Sequence, residues 1–205
     1  MLSSGDGLPL IRAKVVDIAS YKPSDADKFL VDTNIWIELG YSRLTAHPES
    51  VPMLETTFMA SAKKVKSQLF HTPLSLAEIA HVIEQAEREL FNKRNHSQLS
   101  LKEFRHGEAT KRKKVDELVA SCWRLVRRLS QSLCSQLDDN ATDAVLTSFL
   151  ENALDGYDLF MLQAMRANNV PQIISNDADF AGVPGIALFT GRYNILKKAR
   201  QTKQG

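Results

Sequence analysis

FLVDTNIWIEL, residues 29–39, sets Asp32 between the apolar run Phe29-Leu30-Val31 and a second apolar segment holding Ile35, Trp36 and Ile37. An unbroken apolar run of this kind reads as a short strand buried on both faces, as in a parallel sheet. The segment from Asn34 to Leu39 then starts a helix. An aspartate between the two stands at the rim of a core, where an unpaired charge costs on the order of several kcal/mol. Its presence there asks for a partner.

Working outward, strands and helices keep alternating. Leu54–Ser67 reads as a helix and Gln68–Thr72 as a weak strand. In TPLSLAEIAHVIEQAEREL, residues 72–90, Leu76, Ile79, Ile83, Ala86 and Leu90 recur at steps of three and four, which marks one buried helical face. Leu99–Gln136 and Asp143–Ala153 read as mostly helical. GYDLFMLQAMRANNV, residues 156–170, makes a further helix stopped by Asn168, Asn169 and Pro171. PQIIS and GIALFT are short strands on either side of the turn NDADFAGVPG. This order predicts an α/β fold with three layers, α/β/α, around a central, mostly parallel sheet. In such sheets ligands bind beyond the carboxyl ends of the strands, and Asp32 lies at such an end.

Three other acids fall at equivalent places. Asp177 follows the strand Ile173-Ile174, Asp158 opens the helix before that strand, and Glu78 opens the helix after the strand near Phe70. Gathered at one edge they repel: two like charges about 4 Å apart cost roughly 4 kcal/mol at an effective dielectric of 20. A hard divalent cation removes that cost, and oxygen-only donors without cysteine favour Mg²⁺ or Mn²⁺ over zinc. Each acid also has a local reading. Ser75-Leu76-Ala77-Glu78 fits a capping box, Asp158 suits the positive end of a helix capped by Asp155, and Asp177 with Asp179 suits a turn. Independent caps have no reason to collect at one end of one sheet.

With 205 residues, 43% hydrophobic and 24% charged, the chain suits one globular domain with room for an insertion. The opening MLSSGDGLPL lacks the basic and apolar regions of a secretory signal, and no run approaches a membrane span. The expectation is a cytoplasmic protein without membrane association. Cys122 and Cys134 have no Cys or His partners at zinc-finger spacing and read as reduced core thiols. The net charge is only +2, yet residues 91–128 hold eleven basic residues against four acidic ones. Lys93, Arg94, Lys111, Arg112, Lys113 and Lys114 are the candidates there for tracking a phosphate backbone; the competing reading is a solvated helix face.

FLVDTNIWIEL, SLAEIAHVI, GYDLFMLQAM and IISNDADFAGVPGIALFTG, in that order, resemble the four motif regions of the PIN-domain ribonucleases, the group that includes VapC-type toxins. The match spans roughly residues 29–190, and the last motif is the most specific. The resemblance implies a Mg²⁺- or Mn²⁺-dependent endoribonuclease with Asp32, Glu78, Asp158 and Asp177 as its acidic site, and with Asn34 and Asn176 as polar positions beside it. It implies RNA as substrate, a structured RNA such as tRNA or rRNA more than mRNA. It leaves open a small antitoxin and a second copy of the chain as partners.

The domain reading is an N-terminal extension over 1–28, a PIN-like nuclease domain over 29–190 with a basic helical insertion at about 91–150, and a basic, frayed C-terminal tail over 191–205. Glu78 and Asp158 stand 80 residues apart, a longer interval than in compact PIN domains. Within the nuclease class, an RNA-processing or DNA-acting PIN enzyme competes with the toxin. From another class, a non-catalytic RNA-binding module would keep the basic region but has no use for four convergent acids. A di-iron site needs a second copy of Glu78-x-x-His81, which the sequence lacks. A nucleotide-binding sheet needs a Gly-rich loop after the first strand, which is also missing.

Overall fold

The computed structural model describes residues 8–42, 54–107, 109–134 and 137–202. Among the described residues six strands form one sheet in the order β1-β6-β5-β2-β3-β4, every pairing parallel. The strands are β1 (Lys14–Asp17), β2 (Lys28–Val31), β3 (Gln68–His71), β4 (Gln131–Ser132), β5 (Gln172–Ile174) and β6 (Ala187–Thr190). Eight α-helices accompany them: α1 (Thr33–Ile37), α2 (Leu54–Lys64), α3 (Leu74–Asn95), α4 (Leu101–Gly107), α5 (Ala109–Leu129), α6 (Asp139–Glu151), α7 (Gly156–Ala167) and α8 (Tyr193–Thr202). A π-helical turn, Glu38–Ser42, extends α1, and a 3₁₀ turn, Asp179–Gly182, follows β5. No described helix is long and apolar enough to cross a membrane.

Alternation along each strand divides the core in two. Phe29, Val31, Ile174 and Phe189 pack on one face with Ile35, Trp36, Phe58, Ile79, Ile83 and Cys122, from α1, α2, α3 and α5. Leu30, Ile173 and Leu188 pack on the other with Leu159, Leu162, Phe180 and Ile195, from α7, the 3₁₀ turn and α8. Successive side chains of a strand point to opposite faces, so two covered faces make these strands apolar throughout. The three-layer α/β/α reading holds, and the sheet is parallel from edge to edge.

Four expectations change. The segment taken as an N-terminal extension carries β1, which aligns with β6 from Lys14↔Ala187 to Asp17↔Thr190; only Val15 and Val16 are apolar in this edge strand, too few to stand out. Residues 99–136 are mostly helical as expected, in α4 and α5, but end in β4, a two-residue polar strand that the sequence did not announce; Glu108, Ser135 and Gln136 lie outside the described residues. The C-terminal tail carries α8, with Ile195 and Ala199 buried and Arg200 bonded to Asp17 of β1 at 3.2 Å. Lastly, Cys134 is exposed, whereas Cys122 is buried. Residues 1–7 and 203–205 of the two terminal segments lie outside the described residues.

The inserted helices belong to the core. Val115, Cys122 and Val126 of α5 are buried on the first face, and Val145 of α6 on the second. The approach of α5 to the π-helical turn is close: a Cβ on Gly40 would stand 2.5 Å from Cys122 Sγ and 3.2 Å from its Cβ. Gly40→Ala is therefore expected to destabilise the protein by about 1–3 kcal/mol through overpacking, and Cys122→Ala in the same chain to recover part of the loss. Thermal melts of the two single variants and the double variant check this; a Gly40→Ala melt equal to the parent's would show that the contact is not tight.

Candidate active site

The parallel register of β2 and β5 sets Val31 beside Ile174, so the residues that follow, Asp32 and Ser175, meet at the carboxyl edge. The Asp32 N–H donates to the Ile174 carbonyl at 3.0 Å, extending the ladder by one residue. Its own carbonyl accepts from the Ile35 and Trp36 N–H groups and begins α1. The Asp32 carboxylate makes no capping bond to that helix. It accepts instead from the Ser175 hydroxyl.

Ser175 is wholly buried and fully used. Besides donating to Asp32, its Oγ accepts from the Asp177 N–H at 2.8 Å and from Asn34 Nδ2 at 3.3 Å. One hydroxyl offers one donor and two acceptor sites, and all three are engaged. Nothing in the sequence singled this residue out.

Asp158 sits in the first turn of α7, where its N–H donates to the capping carboxylate of Asp155 at 3.0 Å. Its own carboxylate is not the cap. Asp32 is 3% exposed and Asp158 7% exposed. Burial pushes the Asp32 carboxyl up to about 7, helped by the charges of Glu78 and Asp177 and opposed by the Ser175 bond. Burial pushes Asp158 up to about 9, helped by Asp32, Asp155, Asp177 and Glu78. Glu78, half-buried near the start of α3, is raised by burial and then by Asp155 and Asp177. The expected capping box does not form: α3 begins at Leu74 after Pro73, and Ser75 Oγ pairs with Thr72 Oγ1 at 3.2 Å.

Asp177 is half-buried, and its carboxylate accepts from the Asp179 N–H at 2.8 Å, the turn that the sequence suggested. Asp179 is raised by burial and by Asp177 and Asp155, so Asp155 and Asp179 widen the acidic field. Asn176 turns away, its Oδ1 accepting from the Thr190 hydroxyl at 3.2 Å and tying the β5 loop to β6. Asn34 stays within the site through Ser175. Two buried oxygens there lack a hydrogen-bond partner: Asn34 Oδ1 and Thr33 Oγ1, the latter facing Glu78 without reaching good geometry.

Glu78 and Asp177 thus lie close enough for their charges to add to the burial that raises Asp32 and Asp158. Among the described residues, no three His, Cys, Asp or Glu side chains converge into a ready ligand set for one ion. The donors present are nonetheless all oxygen, which suits a hard cation and not zinc.

The basic block has internal partners. Glu84 and Glu87, almost wholly buried on α3, face α4 and α5. Glu84 accepts from Arg105 Nε at 2.8 Å and Arg112 Nη1 at 3.1 Å; Glu87 accepts from Lys114 Nζ at 2.5 Å and the Tyr41 hydroxyl at 3.2 Å. Lys113 reaches Glu117 at 4.0 Å, and Lys111 lies over the Phe91 ring, 3.7 Å from its centroid. Three of the bases read as a phosphate track, Lys111, Arg112 and Lys114, therefore dock α5 on α3, while Lys113 pairs only within α5. Lys93 and Arg94, in the last turn of α3, are exposed.

No protein-family model matches the chain, and no curated protein matches it closely enough to count as a relative.

Two outcomes follow from these placements. In the folded protein Asp32 and Asp158 hold protons more tightly than an unfolded aspartate near 3.9, so the native state binds more protons between that pH and their raised values. Stability of the metal-free protein is therefore expected to fall as pH rises from about 4 through 7 to 9. Asp32→Asn should flatten that fall and, at pH 8 in chelator, equal or exceed the parent's stability by about 1 kcal/mol; melts across pH check both points. For the arm, Arg112→Gln with Lys114→Gln leaves Glu84 and Glu87 short of partners and should cost about 1–3 kcal/mol. Lys93→Gln with Arg94→Gln should stay within about 0.5 kcal/mol. Denaturant titrations that find both pairs neutral would remove the docking role.

Proposed function

We propose that this chain is an endoribonuclease that hydrolyses phosphodiester bonds with Mg²⁺ or Mn²⁺ held at the carboxyl edge of the sheet. The observation that carries the reading is the crowding of Asp32, Glu78, Asp158 and Asp177, two of them almost wholly buried, at an edge where the Asp32 side chain makes no capping bond and Asp155, not Asp158, caps α7. Such crowding is unfavourable without a cation. The oxygen-only donors and the two unpartnered oxygens, Thr33 Oγ1 and Asn34 Oδ1, fit one. The resemblance of the four motifs to PIN ribonucleases supports the same reaction.

Asp32 and Asp158 would hold the ion. When bound, it supplies positive charge to the scissile phosphate and a more acidic water for in-line attack. Ser175 keeps Asp32 in one orientation through its hydroxyl, and through the Asp177 N–H it fixes the loop that carries the fourth acid. Glu78, half-exposed beside the buried pair, is placed to orient the attacking water. Asp177, in the loop after β5, would act through water. On this reading the half-buried Glu78 and Asp177 side chains turn inward as the ion binds. No protein nucleophile is required.

The favoured substrate is a structured RNA such as tRNA or rRNA, and a toxin role would add a small antitoxin as partner. A module that only binds RNA gains nothing from buried, mutually repelling acids. Cleavage of total RNA in Mg²⁺ or Mn²⁺ is expected to stop in excess chelator, and Asp32→Asn or Asp158→Asn to lower it by at least about 100-fold, roughly 2.7 kcal/mol of barrier, while both variants stay folded. Mg²⁺ should raise the parent's melting temperature and the variants' much less. Undiminished cleavage in chelator, or by Asp32→Asn, overturns the proposal.

A further inference from the structure

We infer that the cleft between α3 and α5 receives a strand of unpaired nucleobases, with Trp123 as the stacking platform that leads it to the acidic edge; this rests on the nuclease reading above. Two depressions meet at Trp123. One, of about 750 Å³, lies between the helices and is lined by Leu76, Ala77, His81, Arg105, His106 and Trp123, among others. The other, of about 480 Å³, is lined by His71, Pro73, Trp123, Arg127, Ser130 and Ser132. Leu76 and Ala77 immediately precede Glu78, and His71 ends β3, so both depressions open beside the carboxyl edge.

The chemistry of the cleft suits bases more than phosphates. Its guanidinium groups are already matched: Glu84 is shared by Arg105 and Arg112, and Arg112 Nε also reaches Asp116 at 2.8 Å. What remains open is apolar and aromatic surface. Trp123 is only partly buried, while its neighbours Cys122 and Val126 lie in the core. Its ring meets His71 edge to face at 5.1 Å, and Ser130 Oγ holds His71 Nδ1 at 2.9 Å, which fixes the indole's position. Unpaired bases stack on such a ring, whereas a duplex keeps its base faces hidden. Phosphates would then run outside, past the exposed Arg124, Arg127 and Arg128.

The chain has two tryptophans, and Trp36 is wholly buried, so contact quenching by a stacked base reports Trp123. The Asp32→Asn protein in chelator, which separates binding from cleavage, is titrated with a short oligoadenylate, the oligodeoxyadenylate of equal length, and a duplex of the same length. Oligoadenylate should quench the emission. Trp123→Phe should abolish the quench and keep affinity within about threefold, and Trp123→Ala should weaken binding about tenfold or more without changing its salt dependence. Quenching by both single strands supports the platform and moves any choice of RNA over DNA to another contact. No quench by oligoadenylate, a quench that survives Trp123→Phe, or an equal quench by the duplex overturns the inference, even if the parent protein cleaves RNA. Quenching in a protein whose parent fails to cleave upholds the platform and removes the nuclease reading alone.

Discussion

The hydrogen bond from the buried Ser175 hydroxyl to the Asp32 carboxylate joins the ends of β2 and β5, and the acidic edge is built around it. Asp32 has left water, and its charged form is disfavoured by burial and by two neighbouring acids. Ser175 supplies the one side-chain donor that favours that form. The same oxygen accepts from Asp177 and Asn34, so one side chain sets the positions of three. Replacing it with an apolar residue would leave the Asp32 carboxylate buried without a side-chain donor and release the loop after β5. The β2–β5 register makes this possible, because a shift of one residue would send Asp32 and Ser175 to opposite faces.

The acids and bases of this chain are segregated along α3. Near its N-terminal end stands Glu78, beside carboxylates that share no basic partner. Two turns later Glu84 and Glu87, just as buried as Asp32, are each met by cations from α4 or α5. Burial alone therefore does not distinguish the two groups; the partner does. Arg105 draws the Glu84 carboxyl below its usual range, whereas Asp32 and Asp158 are pushed up. Carboxylates left unmatched while matched ones lie about 9 Å further along the same helix, at 1.5 Å per residue, are what the proposed cation site rests on.

The fold and much of the edge were legible because both rest on local pattern. The Phe29-Leu30-Val31 run and the step-of-three-and-four face from Leu76 to Leu90 each announce their element, and Asp32, Glu78, Asp158 and Asp177 adjoin such elements. Ser175 was not legible, since a serine after a strand is common and its worth comes from a register between segments 143 residues apart. β1 was hidden for a related reason: its two valines gain meaning only from pairing with β6. The internal partners of Arg112 and Lys114 were not legible, because a run of cations looks alike whether it faces solvent or buried acids, and the spacing from Glu84 to Arg112 carries no trace of their contact.

The internal ion pairs also divide the work of the basic arm. Arg105 and Arg112 share Glu84, so a phosphate that engaged either would have to compete with a carboxylate that is itself buried and would be left short of donors. Exchange of that kind gains little free energy and loosens the packing of α5 on α3. Under the proposed nuclease function, long-range attraction for RNA would fall to cations without such obligations, Lys93 and Arg94 at the far end of α3 and Arg124, Arg127 and Arg128 toward the end of α5. The two groups lie at opposite ends of the antiparallel α3–α5 pair, with the cleft and Trp123 between the matched pairs and the acidic edge. On that proposal attraction, shape and the acidic site would fall to different residues, and the ion pairs of Glu84 and Glu87 hold the walls of the cleft in place.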